Sequence, residues 1–178
     1  FELCSIMDVL SFVATVILMT ASGTLAPGPL FFAAVSYGAR SGAKGGLLFS
    51  IAHSLVEFTL VMLLACGLLT VASEPTVKLI VGVVGGLILL FFGGMQIRDS
   101  LTSKSEETKS VGLEKKGLLL MGFAFTGLNP FFIIWWLTVG ANLILLALEF
   151  ASLPGVVFMY ACHVWMDYAW LTAVAHFS

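Results

Sequence analysis

The sequence predicts an all-α integral membrane protein, an inverted repeat of three-helix units in which the first helix of each unit is broken. Three observations predict it. Of the 178 residues, 60% are apolar and only 10% charged, with a mean hydropathy of +1.08, whereas soluble domains carry roughly 25% charged residues. Two apolar runs are interrupted by proline, at Ala26-Pro27-Gly28-Pro29 and at Gly127-Leu128-Asn129-Pro130. Finally, Ala52-His53-Ser54-Leu55-Val56-Glu57-Phe58 matches Cys162-His163-Val164-Trp165-Met166-Asp167-Tyr168, each with a His, three residues and an acid.

A spanning helix needs about 20 apolar residues, and five apolar runs meet that length. The first covers about Val9 to Tyr37, with its break at Pro27 to Pro29, and a short basic loop, Ala39 to Lys44, follows. The second, about Gly45 to Ala72, stops at Ser73-Glu74-Pro75, where proline ends the helix. The third, about Val77 to Ile97, carries a GxxxG pair at Gly82 and Gly86 that favours close helix packing. A polar connector, Arg98 to Lys116, separates the halves. The fourth run, about Gly117 to Leu148, is too long for one straight span and holds the Asn129-Pro130 break; the fifth, about Leu153 to Phe177, follows a Pro154-Gly155 turn. Residues 1–97 are thus read as the first three-span repeat, 98–116 as the connector and 117–178 as a second repeat. The repeat predicts a sixth span, and the expectation is that the chain stops short of it. Because each half has an odd number of spans, the halves lie inverted, as in many secondary transporters.

Loops rich in Lys and Arg stay in the cytoplasm. Arg40 and Lys44 follow the first span, and Arg98, Lys104, Lys109, Lys115 and Lys116 follow the third. The 98–116 loop is therefore expected inside and the N-terminus outside. A net charge of -2 gives no reason to expect nucleic acid or acidic partners. Cys4, Cys66 and Cys162 lack CxxC spacing, and the two in apolar runs are expected to pack as small hydrophobes. No basic region or cleavage site precedes the first apolar run, so no signal peptide is expected.

Proline inside a span frees backbone groups, which lipid cannot satisfy; they belong where protein buries them or where they line a wet cavity. Pro27, Gly28, Pro29, Asn129 and Pro130 are therefore candidate substrate-binding positions, and Trp135, five residues beyond the second break, is a candidate cavity wall. The adjacent pair Trp135-Trp136 would then put one ring on the cavity and the other toward lipid, the alternative being an interfacial belt, the commoner use of Trp. Asn142 is expected to serve helix packing.

His53 and Glu57, like His163 and Asp167, lie at i and i+4 on one helix face, with Ser50 and Ser54 extending the first stripe. A charged acid at a span's centre costs roughly 2.5–3.5 kcal/mol on insertion scales. Two readings follow from four such groups facing each other: a proton relay, or an N2O2 site for a transition-metal ion. A plainer alternative has each His bonding its own helix's acid to fix packing. A thiol-disulfide carrier would need cysteines beside the breaks, and an intramembrane metalloprotease would need HExxH; neither pattern occurs.

Ala26-Pro27-Gly28-Pro29, the turn Ser41-Gly42-Ala43-Lys44-Gly45-Gly46 with His53 after it, and Asn129-Pro130, in this order, resemble the lysine exporter (LysE/RhtB) translocators from about Gly23 to Trp170. The resemblance implies a six-span inner-membrane exporter of amino acids or related small metabolites, not an enzyme and without a cofactor. It further implies proton antiport, with homodimerisation open. Leu30 stands where the family often has Asn, and Phe131 and Phe132 follow Asn129-Pro130 where a small or basic residue is common. These departures, with the His-x-x-x-acid pairs and Trp135-Trp136, look more like an archaeal or otherwise divergent branch. The wider superfamily includes exporters of divalent metals. The expected function is a secondary exporter working by alternating access, with His53, Glu57, His163 and Asp167 carrying the coupling proton; a divalent-metal exporter or a non-catalytic membrane subunit are the alternatives.

Overall fold

A computed structural model describes residues 8–69 and 115–178, together with Pro75, Thr76, Leu79, Ile80, Val83, Leu87, Leu90 and Arg98, which are helical. Most of the expected third span, its GxxxG pair, most of the 98–116 connector and Cys4 lie outside the described residues. Among the described residues the secondary structure is entirely helical.

Helix α1 (Val9–Thr24) starts at Asp8, whose Oδ1 accepts from the backbone N–H of Ser11 at 2.6 Å. That backbone hydrogen bond holds the exposed carboxyl below the usual carboxylate range, so the cap persists at neutral pH and is lost as acidification protonates it. The chain leaves the helix over 25–28 and restarts as α2 (Pro29–Ser41), with Gly28 as N-cap and Pro29 in the first turn, where its missing N–H costs no hydrogen bond. The two axes are bent by 72°. Gly42, at φ +55°, ends α2, and α3 (Ala43–Leu69) follows at once. The basic loop expected over Ala39 to Lys44 is therefore reduced to Gly42, because only glycine adopts this φ without strain and one residue suffices for the turn.

From Lys115 on, the chain again runs helix, break and helix. α4 (Lys115–Gly127) stops before Leu128, and Asn129 caps α5 (Pro130–Trp135) by accepting from the backbone N–H of Phe131 at 3.0 Å. A π-helical turn, Trp136–Gly140, leads into α6 (Ala141–Phe177). The expected turn at Pro154-Gly155 lies earlier. Ala151 and Ser152 hold the non-helical angles, Ser152 at φ +53°, and Pro154 falls in the first turn of the helix that resumes, where proline is tolerated. Gly155 instead lets the chain fold back, since a Cβ there would strike the carbonyl of Ala147. Consistent with a reversal, the rings of Phe150 and Phe158 stack 6.3 Å apart, although eight residues of straight helix separate their ends by about 12 Å.

Among the described residues two helical stretches, Ala43–Leu68 and Pro130–Phe177, are long and apolar enough to cross a membrane, and α1 with α2 makes a third if counted as one broken span. The second stretch has 48 residues, more than twice the roughly 20 needed, so its reversal divides it into two passes. The chain is thus a multi-pass membrane protein, and many large apolar side chains, among them Leu10, Leu18, Leu63 and Leu120, point outward. Cys66 is exposed among them rather than packed inside, and Cys162 is partly buried; both are free thiols.

Two apolar clusters flank the middle of the bundle. Phe12, Val16, Ala65, Leu143, Val156 and Met159 gather near the Ala151–Ser152 reversal, and Ala34, Phe49, Leu118, Leu171 and Ala175 gather near Gly42. In the second, α6 approaches so closely that a Cβ on Gly46 would meet the Leu171 carbonyl and, at 2.7 Å, Thr172 Cα. Both obstacles are backbone and cannot swing aside. Gly46→Val is therefore expected to cost at least the 1–3 kcal/mol typical of overpacking, about the range in which folded yield falls. A lower thermal midpoint in detergent checks it, with Leu120→Val, at an outward-pointing position, as the control that stays near wild type.

Candidate functional site

Between the two clusters lies a cavity of about 90 Å³, bounded by both breaks, the middle of α3 and the second pass of α6. Glu57 stands fourteen residues after Ala43 and twelve before Leu69, roughly 20 Å from either helix end. Glu57, His163 and Asp167 are buried at 2%, 3% and 6% exposure, and the His53 side chain is slightly more open.

The four side chains converge through their tips. His163 Nε2 lies 3.1 Å from Glu57 Oε1 and 3.3 Å from Asp167 Oδ2; His53 Nε2 lies 3.3 Å and 4.0 Å from the same two atoms. Each acid therefore meets both the His of its own helix and the His of the other. Behind the rings, the Nδ1 atoms find threonines from the opposite half: His163 Nδ1 is 2.9 Å from Thr20 Oγ1 on α1, and His53 Nδ1 is 3.1 Å from Thr126 Oγ1 on α4. A hydroxyl can donate or accept, so either tautomer keeps its partner. Thr24 donates to Asp167 Oδ1 at 2.8 Å, and Trp136 Nε1 donates to Glu57 Oε1 at 3.1 Å. Three nitrogens thus crowd one oxygen of Glu57, while its Oε2, like Trp170 Nε1, is buried with no hydrogen-bond partner among the described residues.

Both breaks open on this cavity. A Cβ on Gly28 would sit 3.5 Å from Asn129 Nδ2, so the restart of α2 meets the cap of α5. Gly28, Asn129, Trp135 and the four His and acid residues line the space, together with Phe31, Phe132 and Trp170; Pro27, Pro29 and Pro130 shape the breaks without lining it. Trp136 does not face lipid. It is 1% exposed, packed 5.2 Å from the His163 ring, because the π turn carries it inward beside Trp135. Trp135 donates to Ser22 Oγ at 3.3 Å over Gly23, where a Cβ would meet its ring at 2.9 Å. Ser54 reaches Tyr168, at 2.9 Å, and Ser50 only its own helix's Gly46 carbonyl. Asn142 donates to the Thr138 carbonyl at 2.9 Å.

Sequence reading missed Thr20, Thr24, Thr126 and Trp136. The threonines had one available signal: each stands in a broken span a few residues before its break. Trp136 had none, since α-helical spacing turns it away from Glu57.

A family model described as LysE type translocator matches residues 21–178. The chain belongs to the LysE type translocator family. No curated protein and no solved structure matches it. As a LysE type translocator it is a membrane exporter of amino acids or related compounds, acting on a small-molecule substrate within a lipid bilayer, and a transporter family fits a non-enzymatic protein.

Proposed function

We propose that this LysE type translocator is a proton-coupled secondary exporter of an amino acid or similar small polar metabolite, which binds in the cavity between the two helix breaks and moves by alternating access. One observation carries the reading: a single mid-membrane cavity is lined both by the two breaks and by the His53, Glu57, His163 and Asp167 cluster. The restart of α2 has no side-chain cap, so its partial positive charge and free amide donors suit the solute carboxylate, with Asn129 Nδ2 beside it. The solute ammonium suits the carboxylates and the Trp135 face. Among the described residues neither Lys nor Arg lines the cavity, so protons on the imidazoles are the means of balancing two buried acids, and their release is what couples transport to a pH gradient.

The reciprocal His–Thr pairs, each imidazole bonded to the other half's first helix, support an inverted repeat. Arg40, Lys44, Lys115 and Lys116 sit on the helix ends that meet at the cluster of Ala34, Phe49 and Leu118, which supports a cytoplasmic location for that end and an outside N-terminus in the inner membrane.

Proteoliposomes with an imposed pH gradient test the reading. A panel of amino acids is expected to give saturable, ionophore-sensitive flux for at least one member, and Trp135→Ala to raise its half-saturation concentration. Flux indifferent to the pH gradient would overturn proton coupling, and no amino-acid flux would overturn the substrate class.

A further inference from the structure

The geometry points to a second ligand for the cluster: one divalent transition-metal ion of the borderline class, such as Zn²⁺ or Co²⁺, held by His53 Nε2, His163 Nε2 and one oxygen each of Glu57 and Asp167. Tetrahedral sites with metal–ligand bonds of about 2.0–2.1 Å have ligand atoms about 3.3–3.4 Å apart. Three of the four His–carboxylate separations are 3.1, 3.3 and 3.3 Å, and the fourth, 4.0 Å, needs a small approach by His53. His53, Glu57 and Asp167 offer three ligand atoms within 4.8 Å of one another; His163 falls outside that group, so four-coordination also needs its imidazole and that of His53 to draw together around the ion.

Two further observations set this cluster apart from ordinary hydrogen bonding. Each imidazole is held from behind, by Thr20 or Thr126 at Nδ1, an outer contact of the kind that orients the ring in metal sites, with the hydroxyl free to accept from Nδ1–H when the Nε2 lone pair faces the ion. Carboxylate acceptors also exceed donors: Glu57 Oε2 and Asp167 Oδ2 are buried with no hydrogen-bond partner among the described residues. With no Lys or Arg among the described lining residues, two carboxylates take two positive charges from elsewhere. Two protons supply them, or one dication does. Nitrogen and carboxylate donors together favour Zn²⁺, Co²⁺ or Ni²⁺ over Mg²⁺ or Ca²⁺, which take oxygen ligands.

Binding of Co²⁺ to the purified full chain in detergent, without amino acid or pH gradient, tests the site independently of the export reading. The expected result is one Co²⁺ per chain with the intense visible absorption of a four-coordinate ion, quenched tryptophan fluorescence from neighbouring Trp136, and displacement by Zn²⁺ but not Mg²⁺. Thr20→Val and Thr126→Val, which keep side-chain shape, are each expected to weaken binding about 10- to 100-fold. His176→Ala, at the exposed end of α6, is expected to change nothing. Absence of Co²⁺ binding by the folded wild type, binding abolished by His176→Ala, or binding unmoved by both Thr variants would overturn the proposal, while leaving proton-coupled export standing or falling on its own assay.

Discussion

Glu57→Gln is expected to abolish transport driven by a pH gradient while leaving solute exchange at equal pH measurable. The substitution keeps the shape of the side chain and removes its charge. Glu57 Oε1 receives three nitrogens, from Trp136, His163 and His53 at 3.1, 3.1 and 3.3 Å, and hydrogen bonds to a charged group contribute about 1.5–3 kcal/mol each. An amide presents an N–H to one imidazole and a weaker acceptor to the other, so about 3 kcal/mol of charge-assisted bonding is lost, equivalent to roughly a hundredfold in rate. The same change removes one of two negative charges that hold protons in the cavity. Exchange and driven flux should therefore separate. A Glu57→Gln protein that still concentrates solute against a pH gradient would exclude Glu57 from coupling, and Asp167→Asn, in contact with Thr24 and His163, is the matched measurement on the other helix.

Much of this site was legible in the sequence, for identifiable physical reasons. Proline in an apolar run has a fixed meaning in a membrane, so the breaks at Pro29 and Pro130 were located to within a residue or two. Spacing of His and acid at i and i+4 fixes a shared helix face whatever surrounds it, which is why His53, Glu57, His163 and Asp167 were recognised as a set. What escaped depends on the register between helices. Thr20 and Thr126 reach the imidazoles only because α1 and α4 cross the opposite half, and a single chain of letters carries no crossing geometry. The reversal at Ala151–Ser152 falls in the gap between the expected fourth and fifth runs but was assigned to Pro154-Gly155, because neither Ala151 nor Ser152 is a Gly or Asn that marks positive φ; Pro154 and Gly155 serve the restart and the close approach to Ala147. The bend at Gly42 was read as a longer loop, since basic residues suggest solvent even when they lie on helix ends.

Gly140→Ala is expected to lower transport as much as losing Trp136 does, although Gly140 carries no side chain. The π turn Trp136–Gly140 begins at Trp136, whose own N–H still bonds the Phe132 and Ile133 carbonyls, and the wider winding that follows sets Gly140 against the Trp136 side. The Trp136 ring consequently lies on Gly140, where a Cβ would collide with its Cε3 and meet Cδ2 at 2.8 Å. The ring cannot yield without leaving Glu57, to which its Nε1 donates at 3.1 Å, or pressing on the His163 ring 5.2 Å away. Losing that one charge-assisted bond amounts to about 1.5–3 kcal/mol, or roughly 10- to 100-fold in rate if Trp136 positions the acid. Trp136→Phe removes the N–H and part of the ring, and should give a similar loss. The informative measurement is the double variant. If Gly140 acts only by seating Trp136, then Gly140→Ala with Trp136→Phe transports no worse than Trp136→Phe alone, because the smaller ring has already given up the contact. If the two losses add, as independent sites do, the glycine serves the π turn itself, and the widened turn rather than the indole holds the acid in place.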